Sequence, residues 1–155
     1  MTGTVFLDTD SLDRNDLNWR QLRTAAPDLS CHETTSAEQC AERIQDAEIV
    51  ISNKVILDAP ALEQARKLQL ICVAATGTNN VDLGYCQQHG ITVCNVRDYA
   101  TASVVQHTFT LILALSTRLL DYQAAIHRGD WSRSKQFCLL DFPIAELQGK
   151  TLGII

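Results

Sequence analysis

Leu70-Ile71-Cys72-Val73-Ala74-Ala75-Thr76-Gly77-Thr78-Asn79-Asn80-Val81-Asp82 passes from an apolar run, through a loop of small polar residues, to an aspartate placed to start a helix. Residues Leu70 to Ala75 have the length and composition of a strand buried on both faces. Strand, loop and helix in that order form the repeating unit of a parallel sheet. Outward from this stretch the same alternation extends from residue 4 to residue 96. Strands are expected at Val5 to Leu7, near Leu29 to His32, at Glu48 to Ile51, Leu70 to Ala75 and Ile91 to Val96. The fourth is the most continuously apolar and is expected at the centre.

Helix signals punctuate these strands. Thr35-x-x-Glu38 matches a capping box, Asp58 precedes Ala59-Pro60 at a first turn, and Gly90 reads as a stop. Five alternating strands imply a flavodoxin-like α/β domain, in which ligands bind beyond the carboxyl ends of the strands. Residues 8 to 10, 52 to 54 and 75 to 78 fall at those ends.

After Val96 the pattern changes. Arg97 to Ala100 is a short polar link, and residues 101 to 120 read as one long helix with Ser103-x-x-Gln106 as its capping box. Val104, Val105, Phe109, Leu111, Ile112, Leu115 and Leu119 recur at helical spacing, with Leu113 and Leu120 off the stripe. A helix so apolar must be covered on several sides. Gly149-Lys150-Thr151-Leu152-Gly153-Ile154-Ile155 reads as a turn entering a buried strand, and an ending inside a strand is expected of a truncated chain.

Composition narrows the function classes. With 46% hydrophobic and 20% charged residues, the 155-residue chain is globular. Its net charge of -5 and scattered 13 Lys and Arg offer no basic stripe for nucleic acid or an anionic membrane. Its most apolar segment, residues 109 to 115, is too short to span a bilayer. The amino terminus lacks the basic and apolar regions of a signal peptide, so a cytoplasmic protein is expected. Six cysteines stand singly, without a C-x-x-C pair, which fits a reducing compartment and suggests no metal site. Cys72 and Cys94, inside apolar runs, read as small buried hydrophobes.

The loop from Ala74 to Asp82 supports two readings. Its backbone N–H groups can converge on an anion, with Gly77 allowing close approach and the following helix adding its dipole. Alternatively, Gly77 and Asn79-Asn80 only make a tight turn capped by Asp82. Spacing alone leaves both open. His107, on an almost wholly apolar helix, reads as a satisfied structural histidine rather than a proton carrier; His32, His89 and His127 read as surface residues.

Residues Ala74 to Asp82 resemble the G-T-N-N-V-D signature of the D-isomer-specific 2-hydroxyacid dehydrogenases, which include glycerate, phosphoglycerate and formate dehydrogenases. Three further stretches agree in order and spacing: Gly90 to Asn95, Ala102 to Thr108, and His127-Arg128-Gly129-Asp130-Trp131. Leu147 to Ile155 resembles the strand that leads into the family's nucleotide-binding glycine loop.

The resemblance implies a substrate-binding domain over residues 1–98. Residues 99–155 would be the start of a Rossmann-type dinucleotide-binding domain, stopping before its glycine loop. It implies that N–H groups of Ala75, Thr76 and Gly77 hold the substrate carboxylate, and that Asn53 and Lys54 face the substrate. Ser52-Asn53-Lys54 lacks the arginine of the phosphoglycerate enzymes, which argues against a phosphorylated substrate. Val104 and Thr108 match positions that face the nicotinamide, and the helix at 101–120 matches one at a homodimer interface. The family's catalytic arginine, acid and histidine lie beyond its glycine loop, so no catalytic residue is expected in this chain. NAD or NADP would serve the full-length parent, with none expected on this chain alone, since G-x-G-x-x-G occurs nowhere in it.

The implied activity is interconversion of a small D-2-hydroxy acid and its 2-keto acid, of the hydroxypyruvate or glyoxylate kind. The alternative is a non-catalytic binding or oligomerisation module on the same fold. A third reading is an unrelated flavodoxin-like domain holding a phosphate or flavin at Thr76-Gly77-Thr78.

Overall fold

The computed structural model describes residues 3–154. Two compact units are present, the first ending at Asp98 and the second beginning at Tyr99.

In the first unit, β1 (Thr4–Phe6), β2 (Ser30–Cys31), β3 (Ile49–Ser52), β4 (Leu70–Val73) and β5 (Thr92–Asn95) form one parallel sheet in the order β2-β1-β3-β4-β5. This is the flavodoxin-like order. The centre is β3 rather than the expected β4, because β1 and β2 both lie on its far side. Register pairs Val50 with Ile71 and Ile71 with Val93, so alternate residues present one continuous apolar face. Against it pack α2 (Ala37–Ile44), α3 (Ala59–Leu62) and α4 (Leu83–Gln88), through Cys40, Ile44, Ala61, Leu62 and Cys86. Ile71 and Val50 are fully buried, and truncating such a side chain to alanine typically costs about 2–5 kcal/mol.

The opposite face is less covered. Phe6 meets Trp19 at 5.7 Å between ring centroids, just before α1 (Arg20–Ala25). Cys72 and Cys94 are register partners on this face, and Cys72 is half-buried while Cys94 is exposed. The expectation of two buried thiols therefore fails for Cys94, since β5 is an edge strand. Burial pushes the thiols of Cys40, Cys72 and Cys86 up from their ordinary range, which keeps them neutral.

Local chemistry explains the helix ends. Asp58 caps α3 by accepting the Ala61 N–H at 3.1 Å, and Asp82 caps α4 by accepting the Tyr85 N–H at 2.9 Å. Gly90, with φ of 71°, turns the chain after α4 in a conformation that disfavours side chains. The capping box of α2 is one residue later than expected: Ser36 N donates to Gln39 Oε1 at 3.1 Å. Thr35 is diverted, its hydroxyl donating to the Leu7 carbonyl and accepting from Arg43.

The second unit corrects the reading of residues 101–120 as one helix. Helix α5 (Thr101–Ser116) ends where Arg118 enters the left-handed region with φ of 54°, and α6 (Leu119–His127) departs at 63°. The Arg118 guanidinium bonds Asp121, in the first turn of α6, at 2.6 Å. Ser103 lies inside α5 rather than at its cap. After α7 (Asp130–Arg133) the chain folds back: Tyr122 donates to the Phe142 carbonyl at 2.7 Å, and Ala145 N donates to Ser116 O at 2.8 Å. No residue of α5 is buried, so the other described elements of its own unit do not supply the expected cover. Residues 151–154 are exposed and form no strand, because a strand needs a neighbour for its backbone bonds; Ile155, included in that expectation, lies outside the described residues.

Among the described residues no single helix is long and apolar enough to cross a membrane.

Candidate functional site

The carboxyl ends of β1, β3 and β4 deliver three loops to one edge of the first unit. Buried Asp8, two residues past β1, accepts the Asn53 N–H on Oδ1 at 2.9 Å and the Lys54 N–H on Oδ2 at 2.7 Å. The Asn53 side-chain amide donates to the Ser11 hydroxyl at 3.0 Å. These bonds fix the loop after β3 to the loop after β1.

That loop is also tied to the one after β4. Asn80 Nδ2 donates to the Val55 carbonyl at 3.0 Å, Leu57 N to Asn80 O at 2.7 Å, and Asp82 N to Leu57 O at 2.9 Å. Between the two loops lies a cavity of about 320 Å³ lined by Asn53, Lys54, Ile56, Gly77, Asn79 and Asn80. Lys54 is exposed and Asn53 buried, its amide turned to Ser11.

Ala75 is buried, whereas Thr76 and Gly77 are exposed. Among the described residues, the N–H groups of Ala75, Thr76 and Gly77 donate to no protein acceptor. Two carbonyls of this segment are engaged: Val96 N donates to Ala75 O at 3.1 Å, and Asn95 Nδ2 donates to Thr76 O at 2.7 Å. A β-carbon on Gly77 would stand 3.1 Å from Asn79 Oδ1, so the position is tight as well as open to approach. The expected help from the following helix is small, since α4 has six residues and Asp82 already takes one of its first-turn N–H groups. Neutral donors and one nearby lysine suit a small anion rather than a cation.

Val104 and Thr108 belong to the second unit, one turn apart on exposed α5, with Thr108 Oγ1 donating to Val104 O at 2.8 Å. His107 is exposed rather than packed as a structural histidine, because no described element of its own unit covers that part of α5. His89 is also exposed, stacked 3.9 Å from Tyr85, whereas His32 is half-buried. Among the described residues no three His, Cys, Asp or Glu side chains gather to hold a metal ion.

Two residues at this edge carry roles that the sequence does not assign them: Asp8, inside the flagged stretch 8 to 10, and Asn95, the last residue of the Gly90 to Asn95 motif. Each sits at or just past a strand's carboxyl end, the position where ligands gather in such sheets, and that was the signal available.

The family model of the D-isomer specific 2-hydroxyacid dehydrogenase catalytic domain matches residues 8–149. A glycerate dehydrogenase of Methylorubrum extorquens is 43% identical over 151 residues, covering 97% of this chain and 47% of the relative. A hydroxypyruvate reductase of Blautia hydrogenotrophica is 34% identical over 153 residues, covering 97% and 48%. The chain thus spans about half the length of the curated relatives it matches. Among solved structures, an NADPH-dependent glyoxylate/hydroxypyruvate reductase of Sinorhizobium meliloti in complex with citrate shares the fold. Its TM-score is 0.69 at 19% identity, over 96% of this chain and 45% of that one. A D-lactate dehydrogenase of Aquifex aeolicus with NAD and lactic acid gives 0.70 at 24% identity, over 88% and 40%. With the family model matching residues 8–149, almost the full length, this chain belongs to the D-isomer specific 2-hydroxyacid dehydrogenases.

Proposed function

We propose that this chain is the substrate-binding half of an NAD(P)-dependent oxidoreductase that interconverts a small D-2-hydroxy acid and its 2-keto acid, of the hydroxypyruvate or glyoxylate kind. Residues up to 98 form the substrate domain, and residues from 99 open the dinucleotide-binding domain. We also place the protein in the cytoplasm. The observation that carries the reading is the run of undonated N–H groups at Ala75, Thr76 and Gly77 beside a cavity of small-substrate size. Each N–H is a charge-assisted donor to a carboxylate and needs no counter-charge of its own. Lys54 would add an ammonium, and Asn53 would shape the floor of the cavity. The names of the relatives, glycerate dehydrogenase and hydroxypyruvate reductase, point to the same substrates.

The exposed strip of Val104 and Thr108 is small and one-sided, which fits the edge of a nicotinamide ring and not a whole dinucleotide. NAD or NADP would supply or accept the hydride. The chain's own part is to bind the carboxylate and hold the substrate in one orientation, which is a large component of rate enhancement in such sites. Exposure of Val104, Phe109, Leu111 and Leu115 supports a homodimer through residues 101–120.

Ligand-observed NMR on the chain tests the reading. Hydroxypyruvate and glycolate should bind, inorganic phosphate and flavin mononucleotide should not, and Gly77→Val should abolish binding without unfolding the chain. Preferential binding of phosphate or flavin would show that the 75–77 loop is not a carboxylate site.

A further inference from the structure

We propose that Asn95 is a positioning residue that aims the Gly77 N–H at the substrate carboxylate. The inference rests on the carboxylate reading of the 75–77 loop and adds the device that orients it. No cis peptide bond occurs among the described residues, so the Thr76–Gly77 peptide is trans. In a planar trans peptide the C=O and N–H bonds point in opposite directions. Asn95 Nδ2 holds the Thr76 carbonyl at 2.7 Å, so the Gly77 N–H faces directly away from Asn95.

Sheet order says what lies on that other side. β5, which ends at Asn95, flanks β4 on one side, and β3 flanks it on the other. The loop after β3 carries Asn53, Lys54 and Ile56, and these residues share a cavity with Gly77. Pulling the Thr76 carbonyl toward β5 therefore turns the Gly77 N–H toward the cavity. The preceding peptide follows the same logic: Val96 N holds the Ala75 carbonyl, which turns the Thr76 N–H the same way. That second anchor is a backbone group, fixed by the fold. The first is a side chain, so a substitution can remove it alone.

Without Asn95 the Thr76–Gly77 peptide is free to rotate. A flipped peptide would present a carbonyl oxygen to the carboxylate, replacing attraction with repulsion. Asn95 is only half-buried at an edge strand, which makes its loss a local event rather than a folding defect.

The test uses the ¹⁵N-labelled chain and its Asn95→Leu and Asn95→Gln variants. Residual dipolar couplings without ligand report the Gly77 N–H direction against the β4 amides, and titration with hydroxypyruvate reports affinity. Asn95→Leu keeps the bulk and removes the donor. It should reorient the Gly77 N–H, leave the Thr76 N–H in place and weaken hydroxypyruvate by roughly tenfold, the scale of one hydrogen bond to a charged group. Asn95→Gln, which restores a donor, should recover part of both. An unchanged Gly77 coupling in Asn95→Leu, or unchanged affinity despite reorientation, would overturn the proposal. Failure of the wild-type chain to bind hydroxypyruvate would instead sink the carboxylate reading, while the couplings still decide whether Asn95 sets the peptide.

Discussion

The Asp8 carboxylate accepts the Lys54 backbone N–H at 2.7 Å across 46 positions of sequence. A second N–H, from Asn53, reaches its other oxygen, so one buried side chain sets the backbone of the loop that carries Lys54 to the cavity. Asp8→Ala should strand both N–H groups, and each unsatisfied buried group costs about 1–3 kcal/mol. The expected outcome is a lower urea midpoint with an unchanged denaturant slope, together with weaker hydroxypyruvate binding. Asp8→Asn, which keeps one acceptor, should fall between. A midpoint equal to wild type would mean that the loop holds itself.

His32 supplies a pH test. Burial, and secondly the charge of Arg43, hold its imidazole below the ordinary value of 6.5. A base with a depressed folded pKa takes up its proton more readily when unfolded. Its contribution to stability is therefore present above the unfolded value and lost as pH falls through the lower folded one. Between about pH 7 and about pH 5 the melting temperature of wild type should drop further than that of His32→Gln. The ring is partly solvated, so the difference should be small. Parallel melting curves across that range would remove His32 from the account.

Much of the first unit was legible because its signals are local. Leu70 to Val73 is apolar throughout, Asp58 and Asp82 stand where a cap is needed, and Gly90 supplies a positive φ. The errors came where a distant partner decided the outcome. Thr35 forfeits its capping role because the Leu7 carbonyl and Arg43 claim its hydroxyl, and the cap moves to Ser36. The break at Arg118 leaves no mark in the apolar periodicity, since Leu119 and Leu120 continue the composition of α5 in a new direction. The roles of Asp8 and Asn95, as opposed to their positions, were illegible for the same reason. Their meaning lies in backbone groups of residues 53, 54 and 76, which only the sheet brings near.

The apolar surface of α5 should make the isolated chain self-associate. Leu115 is 75% exposed and Val104 60%, with Phe109 and Leu111 near half. Each such side chain left in water forgoes about 1.5–3 kcal/mol of burial. Light scattering at micromolar concentration should give a dimer, and Leu115→Glu should shift it toward monomer without lowering the melting temperature. A wild-type monomer at that concentration would exclude residues 101–120 as an interface.

The 155-residue chain should neither bind NADH usefully nor reduce hydroxypyruvate, whatever the activity of a longer protein that contains it. Dinucleotide sites draw most of their pyrophosphate affinity from N–H groups of a glycine loop at a helix amino terminus, and no G-x-G-x-x-G occurs in this sequence. Val104 and Thr108 offer one turn of α5, and the Thr108 hydroxyl is already donated to the Val104 carbonyl. Reduction also needs a proton donor beside the carbonyl. The cavity at Gly77 is lined by three asparagines, an isoleucine and Lys54, whose exposed ammonium is held by no partner side chain among the described residues, with no histidine or carboxylic acid to serve as a positioned donor. Loss of a positioned general acid alone typically costs ~10² to 10⁴ in rate. Calorimetric titration with NADH should show no saturable micromolar binding, and NADH absorbance should stay flat with hydroxypyruvate at high protein concentration. Hydroxypyruvate added alone should still perturb Thr76 and Gly77, separating the proposed carboxylate capture from the chemistry that follows it. Turnover that co-purifies with the chain would show that residues within these 155 supply the acid and the cofactor contacts.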